Sequence, residues 1–320
     1  MNLQARGSFG HTPVVSISSH VWPPRNHEEL FMGLPVAGQH LWGSFLAGGR
    51  RVVPIRQTQN DLAVRSLIFD GVEGQPLALA PKRPGFTGIC TEEARGRLWG
   101  LWQPGPGDRF AYATSESTAL WRERGEFEVT AEPLGQAMQL AVPDARDPLG
   151  YRARFWRVTG GTRDGAEVTG VFGHEQVFVR PGTGWFSSPY CQELEQAWVV
   201  FVTEYADGTV HHGHLQRGRE GFAFAAIQRS DGDAVLDTDL RCVPTLGADG
   251  QPERVRFELA DGSAWEWQPP DGGGHLALPG GTDATPVWRE GCVTPVGETR
   301  EVTFSHAWME TFPGRFKELR

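Results

Sequence analysis

The sequence is short of positive charge: 30 Lys and Arg stand against 39 Asp and Glu, a formal charge of −9 over 320 residues. A protein that tracks phosphates needs a basic footprint to release counterions, so nucleic acid is not the expected partner. The arginines that do cluster (Arg50, Arg51 and Arg56; Arg152, Arg154 and Arg157) sit among acids or alternate along one strand. Cysteine is scarce as well. Cys90, Cys191, Cys242 and Cys292 form no CxxC pair, which removes zinc-ribbon and thioredoxin-like readings, although two disulfides remain possible by count. The first residues, MNLQARGSFGHTP, hold no apolar core of a secretory signal, and no run is long enough to span a membrane. A cytoplasmic location with reduced thiols is therefore expected. The chain lacks a GxSxG elbow, a GxxxxGK(S/T) loop and a GxGxxG turn opening a helix, so those nucleophile, phosphate and dinucleotide templates are absent.

Helical spacing is the next absence. The clearest stretch runs roughly from His27 to Met32, and others are broken by Gly or Pro within two turns. What the chain does hold is a long series of short alternating or β-branched segments, among them RRVVPIRQ, EFEVTAEP, RARFWRVTG, AWVVFVTEY, RVRFELA and REVTFSHAWME. Turn residues separate them, which predicts an all-β sandwich or barrel. Asp207-Gly208 lies between AWVVFVTEY and TVHHGHLQ and predicts a hairpin. A two-residue loop there would pair Thr203 with His212 and Phe201 with His214, putting both histidines on the face of Val199, Phe201 and Thr203. Asp261-Gly262 predicts a second hairpin. Pro, Asp and Gly concentrate in PDARDPLG, residues 143 to 150, so a boundary is expected there, with units 1–146 and 147–320.

Three constellations carry candidate chemistry. His174 and Glu175 are adjacent in GHEQVFVR, and on a strand they point to opposite faces. His174 aligns with Gln176 and Phe178 in a lining suited to proton transfer; Glu175 aligns with Val177 and Val179, where an apolar setting would raise its pKa and keep it protonated. The alternative is a surface polar pair beside a turn. In the last strand His306, Trp308 and Glu310 share one face, in a pocket or near a solvated end. His212 and His214, at i and i+2, could hold a metal with a third ligand, and an outward-facing pair is the other reading.

Three stretches resemble the tandem lipocalin-like family that includes the carotenoid 1,2-hydratases (hydroxyneurosporene synthases). HLWGSFLAGGRRVVPIRQ, residues 40 to 57, is similar to its first hairpin. YRARFWRVTGGTRDGAEVTGVFGHEQ, residues 151 to 176, is similar to its central stretch with an Asp-His-Glu/Gln signature. GTGWFSSPY and HAWMETF are similar to its Gly-Trp and closing strands. One departure is plain: the aspartate before the signature histidine is Gly173 here, so Glu175 or Glu310 would take over as proton donor.

The resemblance implies two packed lipocalin-like (calycin-type) antiparallel β-barrels with a ligand cavity in or between them. It also implies a cofactor-independent hydratase, cyclase or isomerase for a hydrophobic isoprenoid-, polyene- or polyketide-like substrate. Protonating an alkene needs an acid in a dry pocket and aromatic faces against the resulting cation. His174 and Glu175 are the central candidates, with His306, Glu310 and Glu204 beside them. Trp156, Trp185, Trp198, Trp308 and Tyr205 would bind substrate, and Arg152 or Arg154 would orient a polar head group. The competing expectations are a carrier of an apolar ligand with no chemistry, and a metal enzyme built on His212 and His214. A homodimer is one possible assembly.

Overall fold

A computed structural model describes residues 4–9, 12–20, 30–59, 62–80, 87–103, 109–144, 146–183, 197–218, 223–248, 252–270, 275–276 and 287–311. The chain is all-β, with no helix among the described residues and two antiparallel, curled half-barrel sheets. None of the described elements is a helix long and apolar enough to cross a membrane. Of the stretch with helical spacing only its end is described. Phe31 to Leu34 form a tight turn there, with Met32 at φ 57° and Gly33 at φ 75°.

Two compact units divide the chain. The first comprises Ser19–Gln139 with Asp147–Trp185. The order of its main sheet is Ala78–Leu79, Leu62–Val72, Arg50–Gln59, Val36–Ala47, Thr169–Phe178, Leu149–Arg163, Phe127–Pro133, Ala119–Glu123, Phe110–Thr114, Leu98–Trp102 and Thr91–Arg95. The second unit comprises Met1–Ser18, Leu140–Arg146 and Phe186–Arg320. Its sheet runs Val235–Asp237, Ala223–Arg229, Val210–Arg217, Ala197–Tyr205, Val302–Thr311, Val287–Pro295, Ala264–Gln268, Pro252–Glu258 and Arg241–Leu246.

This division departs from the one expected at 146/147. The strands Leu149–Arg163 and Thr169–Phe178, expected in the second unit, pair with each other and then with Phe127–Pro133 and Val36–Ala47 of the first sheet. One of the two pairing partners of Thr169–Phe178, Val36–Ala47, lies more than a hundred residues upstream, where local composition gives no cue.

Period-2 alternation builds the walls. In Phe127–Pro133, Phe127, Val129 and Ala131 are buried while Glu128, Thr130 and Glu132 are exposed, as expected for a sheet with one wet face. Thr169–Phe178 differs: from Val171 onward every residue is buried, so both of its faces are covered. The core of the first unit gathers Phe45, Trp121, Phe127, Trp156 and Phe172; that of the second gathers Val199, Phe201, Leu215, Trp265 and Met309. Cys242 and Cys292 are free thiols, and Cys191 lies outside the described residues.

The Asp207-Gly208 hairpin forms, in a register one residue away from the expected one. Gly208 adopts φ 84°, its N–H reaches the Tyr205 carbonyl at 2.9 Å, and the Tyr205 N–H reaches the Thr209 carbonyl at 2.9 Å. The loop thus holds three residues, with Gly208 in the left-handed conformation that closes such a loop. Thr203 consequently pairs with His211, Val202 with His212 and Val200 with His214. A one-residue slip moves every side chain to the other face. His212 and His214 therefore join Trp198, Val200 and Val202, away from Phe201 and Thr203.

Candidate active site

The inner face of the first sheet is a ladder of rows across four neighbouring strands, set by the register. Arg152, Gln176, Gln39 and Thr58 form one row; Arg154, His174, Leu41 and Arg56 form the next; Trp156, Phe172 and Gly43 form the third. Rows two residues apart are separated by about 7 Å. From the third row onward Phe172, Phe45, Trp121 and Phe127 pack edge to face, with ring centroids 4.9 to 6.4 Å apart. The lining passes from polar to aromatic within three rows, and His174 stands at the border. A cleft of about 520 Å³ at the ends of these strands is lined by Val36, His40, Gln57, Thr58, Val177 and Arg180 among others, and Thr58 also belongs to the polar row.

His174 is fully buried. Its Nε2 lies 2.6 Å from the Gln39 side-chain oxygen, and the Tyr112 ring meets it edge-on at 4.5 Å. An amide oxygen only accepts, so Nε2 carries the proton and Nδ1 is the basic nitrogen of the neutral ring. Burial pushes the Tyr112 phenol well above its ordinary pKa, while the positive charge of Arg154 and the indole N–H of Trp156 oppose the shift. Trp156 stacks on Phe172 at 6.2 Å, and the Arg154 guanidinium lies 4.6 Å over Trp156. Arg56, fully buried on the same row as His174, is held by both carboxylate oxygens of Glu123, with Nε to Oε1 at 2.8 Å.

Glu175 points the other way. It is 9% exposed and accepts a hydrogen bond from the Trp42 indole N–H at 2.8 Å. The indole lies against Gly173, the residue that pairs with Trp42 across the strands, and meets Phe155 edge-on at 5.5 Å. His174 and Glu175 therefore sit on opposite faces in mid-strand and cannot share one reacting atom. Trp185 lies outside the described residues.

The remaining candidates belong to the second unit. His306, Trp308 and Glu310 share a face with Trp198, Val200, Val202, His212 and His214, as the cross-strand register requires. Val202 separates His212 from His306 within one row, so the two imidazoles are two strands apart, about 10 Å at the backbone. His306 Nδ1 lies 3.8 Å from Glu290, and the Trp288 indole donates to Glu310 at 2.5 Å. No group of three or more His, Cys, Asp or Glu side chains among the described residues is placed to hold a metal ion. Tyr205 stands apart, beside the hairpin turn. Its hydroxyl meets His211 Nδ1 at 3.3 Å, His211 Nε2 meets Asp231 at 3.0 Å, and Arg300 covers the Tyr205 ring at 4.3 Å.

Sequence reasoning missed Tyr112, Gln39, Glu290 and the Arg56–Glu123 pair. Alternation offers a signal for the first two: Tyr112 is two residues from Phe110 in FAYAT, and Gln39 two from Leu41.

No protein-family model and no curated protein matches the chain. Solved structures do. CghA, solved with Sch210972, is 12% identical and aligns over 97% of this chain and 98% of its own, with a TM-score of 0.50. A protein described as AttH from Nitrosomonas europaea is 15% identical over 92% of this chain and 99% of its own, at a TM-score of 0.42. Kievitone hydratase from Nectria haematococca is 10% identical over 92% and 99%, at 0.40. At these identities the likeness to CghA extends to the fold.

Proposed function

We propose that the chain is a cofactor-independent acid–base enzyme, a hydratase, cyclase or isomerase, whose hydrophobic isoprenoid-, polyene- or polyketide-like substrate lies on the inner face of the first sheet. The observation that carries this reading is His174: an imidazole fixed in one tautomer by Gln39, fully buried, at the border between a polar row and an aromatic floor. A buried base with a defined basic nitrogen suits proton transfer at a carbon, because competing water is excluded. Nδ1 takes a proton from a substrate carbon, or from a water whose hydroxide adds to one; the ring becomes imidazolium, exchanges that proton with solvent, and delivers a proton at a second carbon. The imidazole is regenerated and no redox step occurs. Trp156 and Phe172, one row away, present aromatic rings against which the apolar chain would lie.

Glu175 is assigned no part in this step, since it faces away. The test is turnover of a panel of isoprenoids and conjugated polyenes by three proteins. Wild type is active, His174→Gln loses proton transfer, and Glu175→Gln, which keeps an acceptor for Trp42, retains it. Equal activity in His174→Gln and wild type refutes the reading. The carrier reading shares the same burial and differs in outcome: native mass spectrometry would show an apolar ligand that emerges unchanged.

A further inference from the structure

Arg154 is 7% exposed, yet it touches no carboxylate among the described residues. One terminal nitrogen donates to the Glu116 backbone carbonyl at 3.1 Å, and the guanidinium plane rests on Trp156. Its Nε and Nη1 meet no acceptor among the described residues. The exposed carboxylate of Glu116 attracts it only at a distance, and burial draws its pKa down. Arg56, three positions along the same row, shows how this fold treats a buried guanidinium when it is structural: Glu123 grips it with both oxygens. Two further buried donors stand beside it: the Trp156 indole N–H faces the Tyr112 oxygen without a well-formed hydrogen bond, and the Tyr112 hydroxyl meets no acceptor among the described residues. Folded proteins rarely leave such groups unmatched, and they pair or neutralise buried charge. Here a charge and two neutral donors converge, with Phe172 and Phe45 beyond them.

We infer that this cluster binds an oxyanion, a carboxylate or an enolate, carried by an otherwise apolar molecule whose body lies over the third row. The inference rests on the inner face of the first sheet being the substrate site, and it adds the chemical class of the substrate's head. The Nε–H and Nη1–H groups of the guanidinium donate to oxyanion oxygens, and the phenol supplies a further donor from the side. A neutral hydrocarbon would leave all of them unmatched.

Binding tests this without turnover. Parinaric acid, a fluorescent polyene with a carboxylate, is titrated against its methyl ester, with 2-dodecanoylcyclohexane-1,3-dione as an enolate competitor. Wild type should prefer the acid over the ester by roughly tenfold to a hundredfold, the range for hydrogen bonds to a charged group. Arg154→Met should bring the acid to the ester's affinity. Tyr112→Phe, a near-isosteric change, should remove part of the preference, and Arg241→Met, at a largely exposed side chain, should keep all of it. Displacement by the dione but weak binding of the acid would assign an enolate. Equal affinity for acid and ester with no displacement by the dione, binding of no probe, or a preference unchanged in Arg154→Met overturns the inference. A protein that selects the acid but transforms nothing would refute the enzymatic reading and leave this one standing.

Discussion

Replacing Gly173 by alanine is the sharpest perturbation the structure offers. A Cβ built there would lie 2.2 Å from both Cε2 and Cζ2 of Trp42 and 2.6 Å from its Nε1, where ordinary carbon contacts are about 3.5–4 Å. The indole must therefore move by more than an ångström. It is buried, stands edge-on to Phe155 and donates to Glu175 at 2.8 Å, so it has nowhere to go without breaking that bond. Overpacking of this kind costs about 1–3 kcal/mol. Leaving that buried hydrogen bond unmade adds about 1–3 kcal/mol. Gly173→Ala is expected to lose about 3–5 kcal/mol in urea unfolding, and Gly173→Asp at least as much. The cycle with Trp42→Ala isolates the cause: in that background the alanine should cost under about 1 kcal/mol. A loss below about 0.5 kcal/mol in Gly173→Ala, or the same loss with and without Trp42, would refute the reasoning.

Other outcomes follow from the same contacts. Arg56→Met leaves the Glu123 carboxylate buried without its cation and should cost about 3–5 kcal/mol in chemical unfolding, whereas Arg56→Met with Glu123→Leu should recover most of it; a single-variant loss under about 1 kcal/mol contradicts this. Burial holds His211 below the usual histidine range despite the pull of Asp231, with Arg300 and Arg229 pushing the same way as burial. The folded protein thus disfavours the imidazolium, so this contribution is full above the unfolded value of about 6.5 and shrinks as pH falls below it. The Tm should drop between about pH 6.5 and 5 and do so less in His211→Gln; parallel profiles would show that His211 is not the group responsible. Glu298, held down at about 2 by Arg300, should keep its contribution through that window and lose it only in stronger acid.

Much of the architecture is legible in alternation. FEVTAEP, AWVVFVTEY and REVTFSHAWME each form strands, and the face shared by His306, Trp308 and Glu310 follows from period two alone. Register is a different matter. The Asp207-Gly208 pair fits a two-residue or a three-residue loop, and Gly208 at φ 84° selects the longer one, which sends His212 and His214 to the opposite face. The division of the chain was hidden for another reason. Thr169–Phe178 chooses Val36–Ala47 as its neighbour through burial on both faces, and a strand buried on both faces reads as hydrophobic without saying against what. That same double burial kept the sequence from telling which of His174 and Glu175 faces the aromatic floor. Tyr112 escaped for a third reason: its significance lies in a donor that goes unmatched, and a missing partner leaves no mark in composition.

The central claim is that His174 carries a proton to and from carbon on a dry aromatic face. Deuterium incorporation tests it most directly. Purified protein is incubated in D2O with the isoprenoid and polyene panel, and substrate and product are followed by mass spectrometry. The account predicts deuterium at carbon with wild type and with Glu175→Gln, and none above background with His174→Gln. Incorporation at the same rate in His174→Gln, or loss of it in Glu175→Gln alone, would contradict it.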